Sequence, residues 1–491
     1  ATEAAPVGLA ITIITGIVFY KADIRLLAAE SAKGIWSALI ILLIVWTAIL
    51  LYQVADEARA FLVIRNGMRK LLPNELLMVL ALGWILESFL QGITGFGVPV
   101  AVGAPLLMQA GGNTFGTLAA AWDALAMSTG LVPGTPDYLA AAFWAGVFIW
   151  MWNVVIGLVI CWFYGKGKAV RKGLPALLIL SLIQGGGELL LTRVNTTIAC
   201  FLPACLSLVA LILIGRMKMY RQEWSVEDSR IMDRSAASGT SEETPDGMTL
   251  VQAFVPYILL TAVTMVVLVV PPVNRFLNQV SIGFSFPETS TGYGFVNQAT
   301  ELFSPLRPFT HASMFLFLSS IAGLVYFGRH GWIRPGGVKR VFVRSITMSM
   351  PSGIAIIGLV IMSKIMGGTG QTSVLADGIA RVLGKTYVIL APLVGMVGSF
   401  MTGSNMSSNI LFGEFQVTTA NLLHLNQAPI LGAQTAGGSI GSAISPSNII
   451  LGTTTAGILG SEGQVLKRII PFTTIMTLAI GIIVFLSVAV S

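Results

Sequence analysis

The chain has 491 residues, of which 55% are hydrophobic and only 10% charged. Soluble domains run near a quarter charged, so this composition excludes a cytosolic enzyme, a nucleic-acid reader, a disordered scaffold and a secreted disulfide protein. Its apolar segments have lipid as their solvent. Lys plus Arg (29) exceed Asp plus Glu (22), giving a net charge of +7. The surplus lies in loops between apolar runs, where membrane topology accounts for it before nucleic acid does.

A spanning helix needs about 20 apolar residues. On that criterion the spans expected, in chain order, are Pro6–Tyr20, Ile35–Val54, Glu75–Gly92, Thr114–Gly130, Tyr138–Phe163, Leu174–Leu191 and Ile198–Ile214. Leu250–Val270, Phe309–Phe327, Ser345–Met366, Tyr387–Met401, Pro429–Ile444 and Ile469–Val490 follow. The run from Ala5 to Tyr20 has neither a basic leader nor a small-residue cleavage site, so it reads as a span and not as a signal peptide. Gly95–Met108 and Ser404–Asn421 are too interrupted for ordinary spans. The expected fold is an all-α, polytopic membrane protein with roughly 11–13 transmembrane segments. Cys161, Cys200 and Cys205 all lie in apolar stretches, have no metal-ligand spacing, and read as small packing residues.

Three basic clusters orient the loops. Lys166, Lys168, Arg171 and Lys172 form the first; Arg216, Lys218, Arg221, Arg230 and Arg234 the second; Arg329, Arg334, Lys339, Arg340 and Arg344 the third. Two spans separate each from the next, so all three fall on one side, which the positive-inside rule makes cytoplasmic. The loop from Pro271 to Pro308 then faces outward. The polar stretch 223–248 reads as a flexible cytoplasmic linker between a first transmembrane half, 1–222, and a second, 249–491.

Each half contains a matched interruption. Ser88-Phe89-Leu90-Gln91-Gly92 leads into Ile93–Pro99, and Ser399-Phe400-Met401-Thr402-Gly403 leads into Ser404–Asn409. Both turn small and polar inside an apolar context, the pattern of inverted repeats with re-entrant or broken helices. Further interruptions are expected near 112–117 and 437–448. In hydrocarbon every backbone polar group needs a partner, so such segments belong along a wet cavity. Helix N-termini starting there present free N–H groups and a positive dipole end to an anion such as a carboxylate. The plainer alternative at each place is glycine-mediated helix packing. Ser445 is placed to cap a helix that has Pro446 at its first position.

Charges within spans are costly and usually face a cavity. Glu87, Asp123 and Glu414 are the candidates to bind a coupling proton, because burial disfavours the ionised carboxylate. Glu188 follows a triple glycine with Arg193 five residues on, and Lys364, before Gly367-Gly368, reads as structural. No residues cluster as a metal site or a nucleophile–base pair, which argues for a carrier and against an enzyme; no cofactor is expected.

Gly95-Phe96-Gly97-Val98-Pro99-Val100-Ala101, with Ala104-Pro105 beyond, resembles the L-lactate permease family. Thr402-Gly403-Ser404-Asn405 with Ser407-Ser408-Asn409, Gly437-Gly438 with Ile444-Ser445-Pro446, and Gly460-Ser461-Glu462-Gly463 fit that family's later motifs. The resemblance covers nearly the whole chain. It implies a multi-pass proton symporter of the cell inner or plasma membrane for L-lactate, glycolate and related 2-hydroxy monocarboxylates. The interruptions themselves supply the expected substrate-binding residues: Thr94, Gly95, Phe96, Gly97, Thr402, Gly403, Ser404, Asn405, Ser407, Asn409, Ser445 and Asn448. The family usually has Glu where this chain has Gln91, and Glu87, one turn earlier, is placed to supply that carboxylate. The spacing from Gln109 to Phe115 is also tighter than the family's. The alternative is a carrier of another small organic anion, a dicarboxylate or sulfonate, coupled to sodium; a dicarboxylate would call for a second fixed cation.

Overall fold

A computed structural model describes residues 4–86, 88–89, 117–193, 196–226, 229, 245, 247–446, 448–449 and 462–490. Among the described residues, six helices are long and apolar enough to cross a bilayer. They are seven if Val255–Leu268 and Pro271–Leu277, bent by 85°, form one span, and shorter apolar helices lie beside them. The polytopic all-α class therefore holds.

The first half opens with α1 (Ala4–Tyr20) and α2 (Ile24–Glu57), the latter capped by Asp23, whose carboxylate accepts from Leu26 N at 2.8 Å. A short α3 (Ala60–Leu71) buries Phe61, Ile64 and Met68. It leads to α4 (Glu75–Leu80), capped by Asn74 and continued by a π-helical turn over Ala81–Ile85. After α5 (Thr117–Thr129), α6 (Pro136–Ser181) begins with Thr135 as cap and Pro136 at the first position, the arrangement that suits a helix start.

α6 folds back on itself. Gly165 and Lys166 leave helical geometry, Lys166 with φ +50°. Trp150 Nε1 donates to Ser181 Oγ at 3.0 Å across the two arms, and Gly157 faces Leu177. The expected spans Tyr138–Phe163 and Leu174–Leu191 are these arms, with the first basic cluster at the tip. The second arm continues through a π-helical turn, Leu182–Gly186, into α7 (Gly187–Leu191). α8 (Thr196–Ala199) and α9 (Phe201–Gly215) complete this half.

The second half runs through α10 (Leu250–Ala253), α11 (Val255–Val269) and α12 (Pro271–Leu277). α13 (Ala312–Arg329), α14 (Gly337–Gly368), α15 (Gln371–Leu383) and α16 (Tyr387–Thr402) follow. α17 (Asn405–Leu422), α18 (Gln427–Ser442) and α19 (Glu462–Val490) close the chain's described part. Ser404–Asn421, expected to be interrupted, is helical from Asn405 onward. The side chains of Asn405, Ser408 and Asn409 bond to neighbouring helices and so do not compete with their own backbone.

The loop Pro271–Pro308 is more ordered than its composition implies. β1 (Ile282–Phe286) pairs antiparallel with β4 (Thr300–Leu306), and β2 (Thr289–Ser290) with β3 (Val296–Asn297). This double hairpin sits on helix ends. Trp36 Nε1 donates to Ser304 O at 3.0 Å, Gly292 N to Lys21 O at 3.0 Å, and Asn297 Nδ2 to Gly368 O at 2.8 Å.

At the other end, the first two basic clusters meet: Tyr220 donates to Lys172 O at 2.7 Å, and Lys172 Nζ lies 5.1 Å from the Trp224 ring centre. Arg340 and Arg344 of the third both reach Glu57, just ahead of α3.

Two bodies form. α2 packs most extensively on α14 and α13, and α1 on α14; α16, α18, α6, α17 and α5 form the other. Within the second body α18 lies against α16 so closely that a Cβ on Gly437 or Gly441 would strike the carbonyl of Pro392 or Met396. Small residues at such crossings let backbones approach and polar side chains reach across.

Candidate functional site

Two of the interruptions read from the sequence come together. Gly403 closes α16 with φ +77°, a conformation glycine adopts without strain. Ser404 then caps α17, its Oγ accepting from Ser407 N at 3.4 Å, while the Thr402 hydroxyl donates to Gly398 O at 2.8 Å. Asn448 Nδ2 donates to Gly403 O at 3.2 Å and to Ser442 O at 2.8 Å, and Ser445 Oγ accepts from Asn448 N at 3.4 Å. The cap at Ser445 is thus present. Gly437 and Gly438, by contrast, lie inside α18, and the chain leaves helical geometry only after Ser442.

From this junction the first turns of α17 cross-link the body. Asn405 Nδ2 donates to Ser439 Oγ at 2.8 Å and Thr435 Oγ1 at 3.2 Å. Asn409 Nδ2 donates to Thr435 Oγ1 at 2.8 Å and to Ala121 O of α5 at 3.0 Å. Ser408 Oγ donates to Gly395 O at 2.8 Å, and Gln434, Gln416 and Tyr387 extend the network. The Oδ1 atoms of Asn405 and Asn409 and the hydroxyl of Ser399 are buried with no partner among the described residues. Thr94, Gly95, Phe96, Gly97 and Glu87 lie outside the described residues.

One turn along α17 a narrow cavity opens between the two bodies. Ser37 and Ile41 line it from α2; Ala124, Met127 and Ser128 from α5; Val360, Ser363 and Lys364 from α14; Ile410 from α17. Its volume, ≈ 10 Å³, admits about one water-sized molecule. Lys364 Nζ donates to Met127 O at 3.2 Å, Ser128 Oγ to Asn409 O at 3.0 Å, and Ser363 Oγ to Ile410 O at 2.9 Å. Ser37 Oγ is buried without a partner among the described residues.

The charges around the cavity were not grouped by the sequence. Glu30 and Lys33 form a buried ion pair at 2.7 Å. The Glu414 carboxylate packs on Gly367 and the Glu30 side chain on Gly368, so both acids crowd the last turn of α14, beside Lys364. The hairpin roofs this group: Phe303 lies 5.8 Å from Lys33 Nζ and 5.6 Å from Lys364 Nζ, and Phe286 5.6 Å from Lys33 Nζ, within the reach of cation–π attraction. Lys364, expected to be structural, is a cation of the cavity wall. The one sequence signal for it was the Gly367-Gly368 pair that admits the two carboxylates. Asp123 lies beside Ala124 on the lining helix and is partly exposed.

The family model described as L-lactate permease matches residues 1–491. The L-lactate permease of Halalkalibacterium halodurans is 24% identical, over 97% of this chain and 89% of that protein. The glycolate permease GlcA of Escherichia coli K12 is 25% identical, over 98% and 91%, and the L-lactate permease of the same strain 25% identical, over 97% and 89%. These relatives are named as permeases, that is, transporters and not enzymes. Among solved structures the YdaH transporter of Alcanivorax borkumensis covers 99% of this chain and 96% of its own, with 15% identity and a TM-score of 0.44, a likeness too distant to carry an argument.

Proposed function

The chain belongs to the L-lactate permease family, and on that premise we propose that it carries L-lactate, glycolate and related 2-hydroxy monocarboxylates across the inner or plasma membrane in symport with a proton. The observation that carries this reading to particular residues is Lys364 in the wall of a cavity built from both halves of the chain. One cation with hydroxyls on three sides suits one carboxylate plus one hydroxyl. Lys33, the other cation close by, is already neutralised by Glu30, which disfavours a dicarboxylate.

In this mechanism the substrate carboxylate takes Lys364 from the Met127 carbonyl, a charge-assisted bond replacing a weaker one. The 2-hydroxyl bonds Ser128 or Ser37. The unpartnered Oδ1 of Asn409 and the broken-helix residues Thr402, Gly403, Ser404, Asn405, Ser407, Ser445 and Asn448 set the geometry of α17 behind the site. The cavity accommodates a lactate only when the two bodies part, so opening alternately to either side is a movement of α5 and α16–α18 against α2 and α14. Glu414 serves as the counter-ion of Lys364, and a proton on Asp123 neutralises the loaded carrier, because moving an anion through low dielectric is costly. The two halves, 1–222 and 249–491, are read as inverted repeats joined by the linker 223–248, with the basic loops cytoplasmic.

Counterflow tests the substrate assignment. Proteoliposomes loaded with unlabelled L-lactate should take up external labelled L-lactate; excess glycolate should abolish the signal and succinate should not. Retained uptake under glycolate, or loss under succinate, would assign the carrier to the other anion class.

A further inference from the structure

We infer that Glu188 holds the coupling proton and that the strip Cys200, Thr196 and Tyr138 leads from it to Asp123, on the helix that lines the cavity. This rests on the proton-coupled reading above and names a residue that reading does not use.

Four of the described acids have a cation at hand. Glu30 has Lys33, Glu57 has Arg340 and Arg344, Asp377 has Arg381 at 2.8 Å, and Glu414 has Lys364 within reach. Glu188 is 1% exposed. Its Oε1 accepts from the Cys200 thiol at 3.3 Å, and its Oε2 has no partner among the described residues. Among the described residues the one titratable group shown against it is the Cys200 thiol. Arg193 turns onto the Phe143 ring, 4.5 Å from its centre, and Lys166, Lys168, Arg171 and Lys172 sit at the far tip of the hairpin. A carboxylate ionised in such surroundings has no cation to offset its lost hydration. A proton supplies one.

A second observation points to the same place. Both amide atoms of Asn153 and of Gln184, the Ser207 hydroxyl and the Trp84 indole N–H are buried without partners among the described residues. The contacts of neighbouring residues give the registers of the helices that carry them. Gly157 faces Leu177 and Trp84, Trp150 lies against Ser181 and Gly185, and Gly187 faces Pro203. Continuing those antiparallel registers by a turn sets Asn153 opposite the Ser181–Gln184 stretch and Gln184 opposite Ser207. Gln184 lies in the π-helical turn Leu182–Gly186 and Trp84 in the other, Ala81–Ile85, a distortion frequent at functional sites. Amides suit a carboxyl that changes state: a protonated acid donates to an amide oxygen, and an ionised one accepts from an amide N–H. Unpaired buried groups in this number call for an explanation, and a titrating acid one turn beyond Gln184 is one.

The strip connects this acid to the cavity. Thr196 and Cys200 are four residues apart, on one face of a helical turn. Thr196 Oγ1 and the Tyr138 hydroxyl are 2.6 Å apart, and the Tyr138 ring packs edge-on against Trp122, 5.6 Å between centres, beside Asp123.

The test compares the unmodified protein and Glu188→Gln in proteoliposomes, by counterflow at equal pH and by L-lactate accumulation under a one-unit inward pH gradient. The unmodified protein should accumulate about tenfold, the limit for one proton per substrate. Glu188→Gln should keep counterflow within about twofold and accumulate about onefold, since a permanently neutral site exchanges substrate without moving protons. Undiminished accumulation by Glu188→Gln overturns the inference and leaves the symport reading standing. If the unmodified protein ignores the pH gradient, the symport reading itself fails. Sodium-driven accumulation that Glu188→Gln abolishes makes this a sodium site and overturns the proton assignment. Should Glu188→Gln lose counterflow altogether, Gln184→Leu decides: the pH of half-maximal counterflow should move by about one unit, and an unmoved midpoint overturns the inference.

Discussion

Lys364 Nζ donates a 3.2 Å hydrogen bond to the carbonyl of Met127, residues 237 positions apart that join α14 of the second half to α5 of the first. Lys364 has the Glu414 charge nearby but no direct ion pair among the described residues, and a carboxylate is a stronger acceptor than the carbonyl its ammonium group bonds. That availability underlies the assignment of Lys364 to the substrate carboxylate.

Replacing Lys364 by Met should therefore raise the KM for L-lactate about ten- to hundredfold, the equivalent of the roughly 1.5–3 kcal/mol of a bond to a charged group. Lys364→Arg should recover only part of the affinity, since a planar fork does not fit where a compact ammonium sits. Concentration-dependent counterflow checks both.

Asn409 holds three helices with one amide, through Ala121 O and Thr435 Oγ1. Asn409→Leu should lower the stability of the detergent-solubilised protein by about 1–3 kcal/mol, through the acceptors it leaves unpaired. Thermal unfolding followed by intrinsic fluorescence would show a lower midpoint than Thr347→Val, a substitution at an exposed position.

Gly437 is a packing residue in this structure and not a break. A methyl group there meets the backbone of Pro392, which cannot turn aside, so Gly437→Ala should destabilise by about 1–3 kcal/mol or more. Gly328→Ala, where a Cβ meets nothing within 4 Å, should leave the unfolding midpoint unchanged. Equal midpoints for the two variants would remove the close-packing account of α16 and α18.

These contrasts show what was legible in the chain. The turn at Gly403-Ser404 and the cap at Ser445 could be read from residue type, because a left-handed glycine and a serine cap act over a few residues. Gly437-Gly438 could not be told from a break, since a glycine that makes room for a neighbour and one that ends a helix look alike until the neighbour is known. The group Glu30, Lys33, Lys364 and Glu414 joins positions more than 330 residues apart, and no local pattern encodes that meeting. The hairpin was hidden for a similar reason: its strands are short, and its aromatic side chains find their partners on α2 and α14.

Phe303 faces both lysines beneath the hairpin. Phe303→Leu keeps an apolar side chain in β4 and removes the ring, so about 0.5–2 kcal/mol of attraction for the two cations is lost. The expected result is a severalfold change in KM for L-lactate with an unfolding midpoint close to that of the unmodified protein. A KM within experimental error of the original would separate the hairpin from the site.

The most direct measurement of the central claim is uptake of labelled L-lactate into proteoliposomes, with and without an inward proton gradient, in sodium-free buffer. The account predicts uptake that the gradient stimulates, that needs no sodium, and that Lys364→Met lowers about ten- to hundredfold at L-lactate concentrations below KM. Uptake that ignores the proton gradient and requires sodium, or that Lys364→Met leaves intact, would contradict it.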